Sequence, residues 1–143
     1  MTVSIILAGK GREVVTIEPN ATLTAAVALL AEKRIGALLI LGADRRIVGI
    51  LSERDIVRAL AERGAAALDE PVSGAMTRKV STCHERETVS SIMERMTAGK
   101  FRHVPVVDQG RLTGMVSIGD VVKHRLGEME RDSAAMRDYI LTA

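Results

Sequence analysis

Two tracts of like make-up stand 65 residues apart, Gly49-Ile50-Leu51-Ser52-Glu53-Arg54-Asp55 and Gly114-Met115-Val116-Ser117-Ile118-Gly119-Asp120. Each places a Gly at the head of a strand-like run, a Ser where that run gives way to a helix, and an Asp three residues on. A hydroxyl at such a junction lies beside the backbone N–H groups that a helix start leaves without intrahelical partners, where anions are favoured. An Asp in the first turn carries two acceptor oxygens and so matches the two hydroxyls of a vicinal diol such as ribose. Phosphate on the Ser and the helix start, with ribose on the Asp, describes a nucleotide site. The same residues also spell a helix cap, because Ser-x-x-Asp is a capping pattern and an early Asp suits the helix dipole. Duplication does not separate the two readings, since a cap would be copied along with the fold.

Other chemistries lack their residues. His84, His103 and His124 have no metal-ligand spacing, and the single Cys83 supplies no paired thiols. Ser52 and Ser117 have no glycine-flanked nucleophile elbow. Gly9-Lys10-Gly11 is not followed by the Ser or Thr and the helix of a phosphate loop. The residues favour binding over catalysis, and no enzyme activity is expected.

The elements that must position these tracts come as two copies of one unit. Val14, Thr16, Thr22, Ala26 and Leu30 fall with Val80, Thr82, Thr88, Ile92 and Met96 at an offset of 66. After a one-residue difference in a turn, Ile47, Gly49, Ser52, Asp55 and Val57 fall with Leu112, Gly114, Ser117, Asp120 and Val122 at an offset of 65. Each unit reads strand, helix, strand, strand, helix. In the first, a short β-rich run covers Val14–Ile17, and Thr22 caps a helix through Arg34 with Leu23, Val27 and Leu30 at helical spacing. The strands Ala37–Leu41 and Ile47–Leu51 and a helix from Glu53 to Arg63 follow. The second repeats this with Val80–Cys83, Val89–Ala98, His103–Val107, Leu112–Val116 and Ile118–Leu126. A polar, small-residue linker over Ala65–Pro71 and a helical turn over Val72–Met76 join them. The expected organisation is one repeat over residues 10–65, another over 76–126, and a C-terminal helix over 127–143. The fold class is α+β (α/β), two β-α-β-β-α repeats packed with pseudo-twofold symmetry and a cleft between the halves. A repeat of roughly 50 residues buries too little apolar surface to be secure alone.

Composition narrows the partners. Apolar residues form 47% of the 143, ample for a core. Their longest runs, such as Ala37–Leu41, fall far short of the ~20 residues of a membrane span. Val3–Ala8 is apolar but short and has no basic segment before it, so no export signal is expected and the cytoplasm is the default compartment. The net charge of +2 is small and its basic residues are scattered, and Phe101 and Tyr139 are the only aromatics. Nucleic acid is a poor fit to that pattern. Near the C-terminus Leu126, Met129, Ser133, Met136 and Ile140 step by three and four, the spacing of a helical seam. It would pack either on the chain's own module or on a second copy.

The repeat with its Gly-x-x-Ser-x-x-Asp ending, a Thr before each first helix, and the tract Phe101-Arg102-His103-Val104-Pro105-Val106-Val107 resembles the CBS domain. Two in tandem resemble a Bateman module of the free-standing bacterial type, over about residues 10 to 126. The resemblance implies a regulatory module for adenine nucleotides, AMP, ADP, ATP or NAD(H), with no catalytic cofactor and no metal. It implies that Ser52 with Asp55 serves one site and Ser117 with Asp120 the other. Arg102 and His103 would give the second site a basic phosphate end, where the first copy has Gly36 and Ala37. Arg102 is otherwise an ordinary exposed arginine. Each site would also take lining from the start of the other repeat, Thr77, Val80 and Ser81 for the first and Gly11 and Val15 for the second. Pairing into a homodimer and an unidentified regulated protein are further implications. The competing expectation is an interaction domain whose Ser-Asp pairs act only as caps.

Overall fold

The computed structural model describes residues 1–142, and Ala143, the end of the expected C-terminal helix, lies outside the described residues. The chain divides into two compact units, Val14–Ser81 on one hand and Met1–Glu13 with the chain from Thr82 onward on the other.

The chain opens with α1 (Val3–Lys10), a helix that patterning alone does not assign. Eight residues are too few to hold a helix in water unaided. Burial decides here, because Val3, Ile6 and Leu7 occupy the i, i+3, i+4 positions of one face and are at most 1% exposed. Two of the N–H groups that any helix start leaves over are also taken, Val3 N–H by the Glu87 carbonyl and Ser4 N–H by that of Glu85.

The unit Val14–Ser81 holds β1 (Thr16–Ile17), α2 (Leu23–Lys33), β2 (Ala37–Leu41), β3 (Ile47–Ser52) and α3 (Glu53–Arg63), followed by short 3-10 turns over Gly64–Asp69 and Val72–Gly74. Its sheet has the order β1-β2-β3, parallel between the first two and antiparallel between the last two. Central β2 is buried from Ala37 to Ile40, which is why it reads as a continuous apolar run. Thr22 caps α2, its side chain accepting from Ala25 N–H at 3.1 Å. The buried stripe of α2 is Leu23, Ala26 and Leu30, whereas Val27 is 39% exposed. The core of this unit gathers that stripe with Leu38, Ile40, Leu51, Ile56, Ala59, Ala67 and Val72.

The other unit holds α4 (Val89–Gly99), β4 (His103–Asp108), β5 (Arg111–Ser117) and α5 (Ile118–Thr142), with α1 completing it. Thr88 caps α4 as Thr22 caps α2. Strands β4 and β5 pair antiparallel across Gln109-Gly110, both at positive φ, the conformation a two-residue hairpin demands. The expected strand Val80–Cys83 is reduced to a single parallel bridge between Cys83 and Val106. In the first repeat Leu39 N–H donates to the Val15 carbonyl. The equivalent donor in the second is Pro105, which has no N–H, so that rung is missing. The expected break after Leu126 is also absent, since α5 is one helix of 25 residues. Its Val121 joins Val3, Ile6, Leu7, Cys83, Val89, Ile92, Met96, Val104, Val106 and Val116 in the core of this unit. Among the described residues no helix is long and apolar enough to cross a membrane.

Candidate functional site

Both Ser-x-x-Asp tracts fold as the strand-to-helix junctions their pattern suggests, β3 into α3 and β5 into α5. The two glycines lie inside their strands rather than at the heads, and both are places of close approach. A Cβ on Gly49 would stand 2.5 Å from Met76 Sδ and 3.0 Å from the Thr77 carbonyl, and one on Gly114 would stand 2.7 Å from the Leu7 side chain. The Gly therefore lets a neighbouring segment lie against the strand three residues before the Ser.

The Ser and Asp of each tract bond reciprocally. Ser52 N–H donates to Asp55 Oδ2 at 2.9 Å and Asp55 N–H to Ser52 Oγ at 3.4 Å. Ser117 N–H donates to Asp120 Oδ2 at 2.9 Å and Asp120 N–H to Ser117 Oγ at 3.1 Å. Both are capping boxes, and each satisfies two donors of a helix start.

What surrounds the two carboxylates differs. Asp55 is 4% exposed and engaged on both oxygens. Its Oδ2 also accepts from the Ser52 hydroxyl at 3.2 Å, and its Oδ1 accepts from Thr77 Oγ1 at 3.1 Å and, at 3.4 Å, from Arg58. Thr77 is placed there by a two-way backbone pairing with Ile50 at 2.8 and 2.9 Å. Asp120 has a side chain 23% exposed and an ion pair with Lys10, whose Nζ lies 2.7 Å from Oδ2. Lys10 Nζ also donates to the Met115 carbonyl at 2.9 Å. Burial alone would raise the Asp120 carboxyl, but the bonds and charge of Lys10, with those of Ser117, hold it below the usual carboxylate value.

The other expected site residues fall as follows. Thr77, Val80 and Ser81 share a unit with Ser52 and Asp55, and Thr77 touches the Asp. Gly11 shares a unit with Ser117 and Asp120, whereas Val15 belongs to the other unit, where its carbonyl bonds Leu39. By the 66-residue offset Gly11 is the counterpart of Thr77 but has no side chain, and the neighbouring Lys10 reaches the Asp instead. Sequence reasoning passed over Lys10 except as part of a failed phosphate loop, because the repeat offset leads only as far as its neighbour Gly11. Arg102 is exposed, and its carbonyl accepts from Ile118 N–H at 2.8 Å, which ties it to the first residue of α5. The corresponding bond in the first repeat runs from Glu53 N–H to the carbonyl of Gly36, which has no side chain to offer. His103 stands directly opposite Ser117 in the β4–β5 register. Lys100 ends α4 in the left-handed conformation, as Arg34 ends α2. Cys83 is buried, and desolvation with the nearby Glu87 charge pushes its thiol up to about 12, so it holds no thiolate at neutral pH.

The CBS domain family model matches residues 11–62 and 72–127, two copies in succession. The chain belongs to the CBS-domain family. This CBS pair is 48% identical to a CBS-domain containing protein from Agrobacterium tumefaciens, with a TM-score of 0.85 over 87% of this chain and 92% of that one. It is 32% identical to a CBS domain protein from Pyrobaculum aerophilum complexed with AMP, at a TM-score of 0.74, covering 84% and 89% of the two chains. The CBS domain pair of protein MJ0100, in complex with 5′-methylthioadenosine and S-adenosyl-L-methionine, is 29% identical at a TM-score of 0.79, covering 90% and 98%. An uncharacterised 17.7 kDa protein of Acidianus ambivalens is 35% identical over 112 residues, which are 78% of this chain but only 66% of that longer one.

Proposed function

We propose that this CBS pair is a regulatory module that binds an adenine nucleotide, AMP, ADP, ATP or NAD(H), and passes its occupancy to another protein. The observation that carries the reading is the second helix start, where Ser117 and Asp120 stand beside Arg102, His103 and Lys10. Asp120 would hold the ribose, and Arg102 with His103 would meet phosphate. Support comes from the two CBS relatives in complex with AMP and with methylthioadenosine and S-adenosylmethionine, ligands that share an adenosine. The module would act as a homodimer. The apolar stripe of α5 favours that, since Leu126, Met129, Met136 and Ile140 are 54–65% exposed.

A second reading is favoured by the reciprocal capping bonds, which satisfy both Ser-Asp pairs without any ligand. In that case the pair is an interaction domain. Thermal melting separates the two. A ligand at about 100 times its dissociation constant adds roughly 2.7 kcal/mol, several degrees for a chain of this size. A rise with any of AMP, ADP, ATP or NAD(H) supports the nucleotide reading. Flat curves at millimolar ligand, for protein refolded free of co-purified small molecules, support the other.

A further inference from the structure

We propose that Lys10 is a specificity-determining residue of the second site, pairing with Asp120 to read both hydroxyls of a ribose diol. The inference rests on the adenine-nucleotide reading above and extends it to a residue from a different part of the chain. The bonds from Lys10 Nζ and Ser117 N–H both fall on Oδ2 of Asp120, so Oδ1 keeps its acceptor capacity. An ammonium has three donors, and Lys10 commits two, to Asp120 and to the Met115 carbonyl. The ion pair therefore presents a charged acceptor and a charged donor side by side on a partly exposed surface, with side chains 36% and 23% exposed. A vicinal diol matches that couple, one hydroxyl donating to Oδ1 while the other accepts from the ammonium. Asp55 offers no such couple. Its Oδ1 is already engaged by Thr77 and Arg58, and the residue is buried.

The pairing also ties recognition to α1. Lys10 is the last residue of that helix, whose Val3, Ile6 and Leu7 are anchored in the core of the unit. Its backbone is thus held in place, and the flexible side chain needs only to extend to Met115 and Asp120. A site with a charged donor and acceptor facing two hydroxyls rejects a sugar lacking one, because a charged group then gives up water without gaining a hydrogen bond in return.

Calorimetric titration of the full chain with AMP, 2′-deoxy-AMP, 3′-deoxy-AMP and adenosine tests this, using Lys10→Met and the more polar Lys10→Gln beside the wild type. Melting without ligand checks that both variants are folded. The wild type should prefer AMP to at least one deoxy analogue by roughly ten- to a hundredfold. Both variants should lose AMP and adenosine by a similar factor and bind the analogue almost unchanged, so that the preference collapses. Equal losses for AMP and both deoxy analogues, tighter binding of AMP, or loss of AMP with adenosine spared would each overturn the role, the last by assigning Lys10 to phosphate. AMP binding unchanged in the variants overturns the role and leaves the nucleotide reading standing. A wild type that binds none of the four overturns both.

Discussion

Asp55 and Asp120 are the same residue of the same motif, yet their neighbours give them different capacities. Asp55 has both oxygens engaged and is sealed from water, so a ligand must displace an existing bond to use it. Asp120 keeps an oxygen in reserve and sits beside the basic tract of Arg102 and His103. The second site should therefore dominate. A hydrogen bond to a charged group is worth roughly 1.5–3 kcal/mol, so Arg102→Ala should weaken AMP by about ten- to a hundredfold and spare adenosine. Asp120→Ala should cost a comparable factor for both ligands, and Asp55→Ala should leave the tightest binding event nearly intact. Titration calorimetry of the three variants decides, and loss of the tight site in Asp55→Ala alone would reverse the ranking. Acid provides a second handle on Asp120. Its folded value is lowered, so the stabilisation it brings is fully present above the unfolded value of about 4 and fades as the pH falls through the lowered folded value. The difference in melting temperature between the wild type and Lys10→Met should be largest above that pH and shrink on further acidification. A gap that is independent of pH would detach Lys10 from the Asp120 shift.

At the scale of elements, the repeats differ where single residues alter a strand or a crossing. Pro105 withholds the donor that Leu39 supplies in the first repeat, and a two-residue strand contracts to a bridge. The glycines of the two tracts mark crossings of different hardness. A methyl at position 49 meets the Thr77 carbonyl as well as Met76, and the backbone there is held by its pairing with Ile50. For a methyl at position 114 the three nearest atoms all belong to the branched end of Leu7, with no backbone among them. Overpacking typically costs 1–3 kcal/mol, so Gly49→Ala should destabilise by about that amount and Gly114→Ala by less. Because the Gly49 crossing carries Thr77 to Asp55, the first substitution should also disturb the first Ser-Asp pair. Urea unfolding of both variants checks the order, and equal midpoints would show that Thr77 moves aside as readily as Leu7.

For the whole molecule, the instructive feature is that the repeats of the sequence are not the compact units of the structure. The N-terminal segment, ahead of the first repeat, completes the core of the unit that contains the second. The long C-terminal helix does the reverse. Its start is buried at Val121, and its last turns carry exposed apolar side chains, among them Met136, Tyr139, Ile140 and Leu141 at 60–82%. Exposed apolar surface of that kind favours association, and a second copy is the proposed occupant. Light scattering at tens of micromolar should give a dimer for the full chain and a weaker one for a chain truncated after Leu126. A monomeric mass for the full chain would reject the dimer, and an undiminished dimer after truncation would reject the role of the tail.

The duplicated unit, both Thr caps, the strands of the two hairpins and the Ser-Asp junctions were legible in the sequence, because each is set by residues within a few positions of one another. Thr22 finds Ala25 N–H three residues on, and Ser52 and Ser117 find their Asp partners at the same spacing. The membership of the chain in its family follows from those local signatures taken in order. What the tertiary structure alone decided is set by contacts between distant residues. Val3–Lys10 is a helix because the core of a unit closes over it, not because eight residues prefer to coil. Lys10 meets Asp120 across 110 positions of sequence, a juxtaposition no local pattern encodes. That contact, absent from the motif itself, sets the two carboxylates apart beyond the Arg102 and His103 difference already legible in the sequence.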